Sequence, residues 1–305
     1  MKTAQKPKES PARRLAERVR RIAIGTRRLS AEAFHGGVQS RFRGRGMDFD
    51  EVREYEPGDD VRSIDWSATA RAGHTFVKKY REERQLTVIF MVDLSASGTL
   101  GAGDLSKREQ GVEMASVLAL AAIHSDHRVG LVSFTDRVET FVPPARGRRH
   151  AIRLVNDLVQ FEPEGRGTNL ALALRFAREQ LTRRTVIVIL SDLLLGKADF
   201  EQAQPELRAL AHRHDVVLIR VGDRLDRQLP AVGLLTLEDA ETGEVVEVDT
   251  GSAKQRARIE AIAHDMDEYI RGLARRAHVD LLEVDTLNAY LGPLIGFFRA
   301  RGGKA

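Results

Sequence analysis

The sequence predicts an α/β protein: a doubly wound, mostly parallel sheet with helices on both faces, a small inserted β-subdomain and a basic N-terminal helical arm. Three observations predict it. From residue 86 onward, short strand-like runs alternate with longer helical patterns, the order that builds parallel sheets. Two of those runs, Leu86 to Asp93 and Val186 to Asp192, are apolar through nearly their whole length, the pattern of strands buried on both faces, and both stop at an aspartate. Finally, residues 1–46 carry 13 Lys/Arg against 3 Asp/Glu, while the remainder is net acidic by 6.

The first ten residues, with Lys, Pro, Glu and Ser, read as disordered. From Pro11 to Leu29, the apolar Leu15, Val19, Ile22 and Leu29 fall near helical spacing with arginines between them, which predicts a basic amphipathic helix. Arg41-Phe-Arg-Gly-Arg-Gly46 is a glycine-rich connector. Two strands, Phe49–Tyr55 and Thr75–Tyr80, surround the turn Glu56-Pro-Gly-Asp-Asp60.

Strands are then expected at 86–93, 128–134, 185–191, 215–221 and 279–284. Helices are expected at 105–124, 149–160, 169–182, 198–213 and 253–277, with a last one near 286–300. Ser106 and Glu109 have the spacing of a capping box at the first of these helices. Val138 to Val142 predicts a short antiparallel edge strand. A hairpin at 234–238 and 244–248 turns around Glu241-Thr-Gly243 and interrupts the alternation. The expected organisation is an arm (1–46), a β-rich segment (47–85) forming a subdomain with the 233–249 hairpin, and a main domain (86–305).

Composition excludes several classes. With 42% hydrophobic and 30% charged residues, 305 residues can fill a core under a well-solvated surface. The absence of cysteine removes disulfides, thiolate metal sites and cysteine nucleophiles. No apolar run reaches the ~18–20 residues of a membrane helix, so a cytoplasmic protein is expected. The basic surplus sits on the arm and not on the body, contrary to a whole-domain nucleic-acid binder. Phe34 and Phe42 alone interleave its arginines, which leaves little for base stacking. The charge split favours an arm packed on its own acidic body; contact with nucleic acid or an anionic membrane is the competing use.

The chemistry concentrates at strand ends. Asp93-Leu-Ser95-Ala-Ser97 spaces a carboxylate and two hydroxyls one residue apart, so alternate side chains can turn toward one point. Thr168, in Gly167-Thr-Asn169, adds a hydroxyl where a helix opens, and Asp192 adds a carboxylate at the end of another strand. Open parallel sheets bind ligands at the carboxyl ends of their strands. Five hard oxygen donors of this kind suit Mg²⁺ or Mn²⁺, which keep several waters. Cap and turn chemistry is the plainer use of Asp93, Ser95 and Ser97 taken alone. A metal-dependent phosphohydrolase competes too, but it requires an acid/base carboxylate two positions after the aspartate, and Ser95 stands there. Phosphate-loop and H-E-x-x-H motifs are absent. His124/His127 and His212/His214 fall at predicted helix C-termini, where histidine serves the exposed carbonyls.

The Asp-x-Ser-x-Ser, Thr and Asp trio resembles the metal-ion-dependent adhesion site of von Willebrand factor type A domains, over roughly residues 86–290. Upstream, Gly44-Arg-Gly-Met-Asp-Phe49, Val52-Arg53-Glu-Tyr55, Pro57-Gly-Asp-Asp-Val-Arg62, Ile64-Asp-Trp66, Ala70-Arg71 and Glu82-Glu-Arg84 are similar to the signature of bacterial domain-of-unknown-function family 58. The resemblance implies a von Willebrand A-like, Rossmann-type fold with Asp93, Ser95, Ser97, Thr168 and Asp192 as metal-site residues. It implies a non-enzymatic protein–protein interaction module that binds an acidic side chain and pairs with a MoxR-type AAA+ ATPase in a chaperone-like complex, with no small-molecule substrate. Gly98-Thr-Leu100 replaces a methionine often found after the second serine, which removes no ligand. In the Pro57–Arg71 segment, Trp66 is expected to fill a core gap while the surrounding charges pair locally; a docking patch is the alternative.

Overall fold

The computed structural model describes residues 11–25, 48–57, 59–81 and 85–302. The connector Arg41–Gly46, the first ten residues and the Glu82-Glu-Arg84 motif lie outside them. The chain forms two compact units, Gln39–Gln85 and the combination of Met1–Val38 with Leu86–Ala305.

In the smaller unit, β1 (Asp48–Glu54) pairs antiparallel with β2 (Phe76–Arg81). Between them a short helix appears that strand patterning did not predict, Trp66–Ala72. Its start is local chemistry: the Asp65 carboxylate accepts from the backbone N–H groups of Ser67 and Ala68 at 2.9 and 3.1 Å. Gly73 closes it in the left-handed conformation, φ 75°. Trp66 is 71% exposed, which corrects the expectation that it fills a core gap. It is the first residue of a two-turn helix none of whose residues is buried. The local charge pairing is present, with Arg53 on Asp59 at 2.6 Å.

The larger unit is built on six strands: β3 (Thr87–Asp93), β4 (Arg128–Phe134), β5 (Val138–Ala145), β6 (Val186–Ser191), β7 (Asp215–Gly222) and a last strand, Asp280–Asp285. Their spatial order is last strand, β7, β6, β3, β4, β5, all parallel except β5, which runs antiparallel to β4. The chain leaves β3 toward β4 and β5, then returns to the other side for β6 and β7. The reversal therefore falls between β3 and β6, the crevice where doubly wound sheets bind ligands.

Helices cover both faces. Lys107–His124 lies across β3, β4, β6 and β7 and is buried nearly all round. Its capping box is formed, with the Ser106 hydroxyl accepting from Glu109 N–H and the Glu109 carboxylate accepting from Ser106 N–H. Arg148–Gln160 packs beside it. On the opposite face, Leu170–Gln180, Lys197–Arg213 and Ala253–Ala277 close a core of Ile89, Met91, Ile187, Ile189, Leu174, Phe200, Leu207, Ile270 and Leu273. A final helix, Leu291–Gly302, packs on the last strand.

The arm's helix, Pro11–Gly25, docks on this body. Leu15 and Val19 are buried, and Arg18 donates to the fully buried Glu113 of the 107–124 helix at 2.5 Å. That placement agrees with packing on the protein's own surface. The hairpin β8 (Leu234–Glu238) and β9 (Val245–Asp249) is a separate two-stranded sheet within the larger unit. Among the described residues its strands pair with each other alone. Its tip hydrogen bonds to the 166–168 loop.

Gly130 marks the tightest point of the sheet. A Cβ there would lie 2.6 Å from Ile89 Cδ1 and 2.7 Å from the Val142 carbonyl, at an irregularity in the β4–β5 register. Gly130→Ala is expected to cost about 1–3 kcal/mol, read as a lower urea midpoint. An unchanged midpoint would show that β5 yields freely.

Candidate metal centre

β3 and β6 run side by side, with Val92 opposite Leu190, so their next residues emerge together at the carboxyl end of the sheet. There Ser191 donates its hydroxyl to Asp93 Oδ2 at 2.6 Å, bridging the two strands across the switch point. The other oxygen, Asp93 Oδ1, accepts from Ser95 N–H at 3.0 Å, which bends the loop after β3 back over its own strand end. That bend brings Ser95 Oγ to 3.1 Å from Ser97 Oγ.

A second loop is drawn in by backbone bonds. Ala96 N–H donates to Arg166 O at 2.8 Å, and Asn169 N–H to Thr135 O at 2.8 Å. Thr135 Oγ1 and Gly165 N–H both donate to Glu139 Oε1, at 2.7 and 2.8 Å. These contacts hold Thr168 beside the Ser97 loop. Asp192 follows β6 directly and is buried; its backbone carbonyl accepts from Arg220 Nε at 3.4 Å, while Arg220 is in turn held by Asp267. The five predicted residues thus fall in three loops of one crevice: Asp93, Ser95 and Ser97 joined by direct contacts, Asp192 next to them, and Thr168 across the gap.

Three partners carry no mark of this role in the sequence. Ser191 is the bridge just described. Lys107, the first residue of its helix, is buried and sets its ammonium 3.0 Å from Asp192 Oδ2 and 2.9 Å from Asp226 Oδ1. Burial opposes its charge, but the two carboxylates outweigh burial and hold its pKa above the ordinary lysine value. Glu241, in the β8–β9 turn, accepts from Thr168 Oγ1 at 2.7 Å and from Thr168 N–H at 3.1 Å. The Glu241-Thr-Gly243 turn was legible as a turn; its destination was not.

Asp93 is the most perturbed of these groups. Burial first, then the charge of Asp192, pushes its carboxyl from 3.8 up to about 7, against the hydrogen bonds from Ser191 and Ser95. The buried carboxylates Asp93 and Asp192 share the crevice with Lys107 and Arg108. Ser95 Oγ and Ser97 Oγ are hydrogen bonded at 3.1 Å, a separation that adjacent octahedral ligands of a hard cation at about 2.0–2.1 Å would share. Among the described residues no group of three or more His, Cys, Asp or Glu is clustered for metal binding. A centre here would rest on hydroxyls as much as on carboxylates.

Of the four histidines, His124 serves a helix-end carbonyl as expected, whereas neither ring nitrogen of the buried His214 has a hydrogen-bond partner. His124 Nδ1 lies 2.7 Å from Leu120 O of its own helix, and His127 Nδ1 accepts from Leu86 N–H at 3.4 Å. His212 is exposed and His214 is buried, with its pKa lowered by burial and by Arg213 and Arg184.

The fold and crevice define a doubly wound α/β protein with an oxygen-rich site at the switch point of its sheet. The chain belongs to the family described as "Protein of unknown function DUF58", whose model matches residues 51–269. It is 32% identical over 294 residues to the uncharacterized protein Rv1480 of Mycobacterium tuberculosis (strain ATCC 25618 / H37Rv), covering 94% of this chain and 90% of that protein. The uncharacterized protein MAV169 of Mycobacterium avium is 31% identical over 163 residues, 52% of this chain and 92% of that protein. Among solved structures, the conserved hypothetical protein BatB from Bacteroides thetaiotaomicron is similar at 17% identity and TM-score 0.49, over 72% of this chain and 100% of that one. The SpRpn10 VWA domain is similar at 11% identity and TM-score 0.40, over 70% and 94%. No helix among the described residues is long and apolar enough to cross a membrane.

The Asp93 environment yields a signed test. Its folded-state pKa lies above the unfolded value, so its contribution to stability is full below about pH 4 and is lost as pH rises toward about 7. In EDTA, Asp93→Asn should melt higher than the parent chain at pH 8 and should flatten the fall in melting temperature between pH 5 and 7. Equal melting temperatures at pH 8 would show that the buried carboxylate is not the source of strain.

Proposed function

We propose that this protein is a non-enzymatic, metal-dependent protein–protein interaction module. Asp93, Ser95 and Ser97 would hold a Mg²⁺ or Mn²⁺, with Thr168 and Asp192 completing the shell directly or through water. When bound, the cation supplies an electrophilic point for an acidic side chain of a partner. The observation that carries this reading is the pair of seryl hydroxyls 3.1 Å apart beside the buried Asp93 carboxyl, at the switch point between β3 and β6.

The chain's own residues set the properties of such a site. Neutral hydroxyls outnumber carboxylates among the five, and Lys107 already shares Asp192, so a divalent ion would keep part of its charge for an incoming carboxylate. Burial of Asp93 and Asp192 lowers the local dielectric and strengthens that contact. The loops are fixed by backbone hydrogen bonds before any ligand arrives, which limits the ordering cost of recognition. The resemblance to von Willebrand A-like proteins of this family supports a MoxR-type AAA+ ATPase as partner, within a chaperone-like complex. Ser95 in place of a second carboxylate supports recognition over phosphate hydrolysis.

Titration calorimetry should show one Mn²⁺ site per chain that Asp93→Ala abolishes with the far-UV spectrum intact. An AAA+ partner should co-purify in Mg²⁺, be released by EDTA, and be lost in the Ser95→Ala/Ser97→Ala double variant. A partner retained through both treatments would place recognition on another surface. Metal-dependent release of phosphate from an aryl phosphate, lost in Asp93→Asn, would make the site hydrolytic instead.

A further inference from the structure

The acceptor of the Thr168 hydroxyl is a carboxylate from the chain itself. Glu241 sits on a turn shaped to present it: Asp239 Oδ1 accepts from the N–H groups of Glu241 and Thr242 at 2.9 and 2.8 Å, and Gly243 completes the turn at φ 76°. Both Glu241 oxygens then engage Thr168, one on the hydroxyl and one on the backbone N–H. Arg166 Nη2 donates to Ala240 O at 3.0 Å, fastening the turn from the other side. A glutamate therefore already rests, through both its oxygens, on Thr168, one of the five residues assigned to the cation.

The element that carries it adds no strand to the main sheet. β8 and β9 pair only with each other, and Leu234, Leu237, Val245 and Val246 are exposed. An isolated two-stranded hairpin is marginal by itself. Its base is clamped: Thr250 N–H and Oγ1 both donate to Gly233 O, at 2.8 and 2.6 Å, and Arg256 Nη1 donates to Thr250 O at 2.6 Å. The hairpin is thus fixed at its base and fastened at its tip through Glu241.

We infer that Glu241 is an internal ligand of the metal centre: it fills the position that an acidic side chain of a partner would take, so the centre is self-occupied until the hairpin lifts. The inference rests on the metal-dependent reading above and specifies its regulation. Tethering gives such a ligand an effective concentration on the order of millimolar. A weak external carboxylate is excluded under those conditions, and a partner succeeds only if it also binds the displaced hairpin or brings further contacts. Occupancy of the centre would thus be coupled to hairpin position.

The test is water-proton relaxation by bound Mn²⁺ in the full chain, which counts exchangeable waters on the ion, together with the Mn²⁺ affinity. Glu241→Ala should raise the relaxation per bound ion by about 1.5-fold, as one water joins the several such an ion keeps, and should weaken Mn²⁺ binding several-fold. Glu241→Gln, which keeps the side-chain shape, should move both readouts in the same direction. Glu244→Ala, on the same hairpin but outside the site, should leave both unchanged. If Mn²⁺ binds and Asp93→Ala abolishes it, yet Glu241→Ala matches the parent chain in relaxation and affinity, the metal centre stands and the internal ligand is overturned. If the parent chain and Glu241→Ala both fail to bind Mn²⁺, the metal reading fails and the internal ligand fails with it.

Discussion

Asp93 and Asp192 end neighbouring parallel strands inside the protein, and the rest of the site is arranged around their repulsion. Parallel pairing of β3 with β6 forces the two side chains to the same edge of the sheet. Reversal of the chain between those strands sends their following loops apart and leaves a crevice between them. Ser191 and Ser95 satisfy the Asp93 oxygens by hydrogen bonds, but hydrogen bonds from neutral groups do not remove a charge. That charge is what the proposed cation would meet.

Lys107 shows how the fold moderates the problem without abolishing it. Its ammonium lies between Asp192 and Asp226, and a buried ion of this kind persists only because both carboxylates hold it. Asp226 is itself positioned by a tight turn in which Asp223 N–H donates to Asp226 Oδ2 at 2.9 Å. Asp223 in turn accepts from Ala102 N–H at 2.7 Å and from the Thr286 hydroxyl. The network therefore ties the 107–124 helix, the end of β7 and the end of the last strand to one carboxylate of the crevice. Asp93 is left outside it, and burial pushes its carboxyl up to about 7.

The hairpin adds a second acidic group from the solvent side. Within the larger unit it is an insertion between β7 and the 253–277 helix that adds no strand to the main sheet. Its exposed apolar residues make it a poor candidate for an element retained only for stability. Its firmest tertiary contacts are at the base, through Thr250 and Gly233, and at the tip, through Thr168 and Arg166. The site thus has Asp93, Asp192 and the Lys107 ammonium at the sheet edge and a tethered carboxylate, Glu241, on the Thr168 loop.

The sequence by itself determined the elements and the nearer half of the site. Buried strands announce themselves as apolar runs, and the 128–134 strand and 253–277 helix fall at the residues expected for them. The capping box at Ser106 and the Asp-x-Ser-x-Ser spacing are equally local, because each is satisfied within a few residues of chain. Tertiary structure decided the rest. Lys107 looks like any first-turn lysine until the strand order sets Asp192 against it. Ser191 becomes a bridge only because β6 lies next to β3. Glu241 reaches Thr168 across 73 residues, a contact fixed by where the hairpin is anchored and by no pattern in its own segment. Trp66 shows the converse error: a large apolar residue suggests burial, but Asp65 caps a short helix there and leaves the indole in solvent. Local hydrogen bonding is written in neighbouring residues, whereas charge pairing between distant segments exists only once the sheet has brought them to one edge.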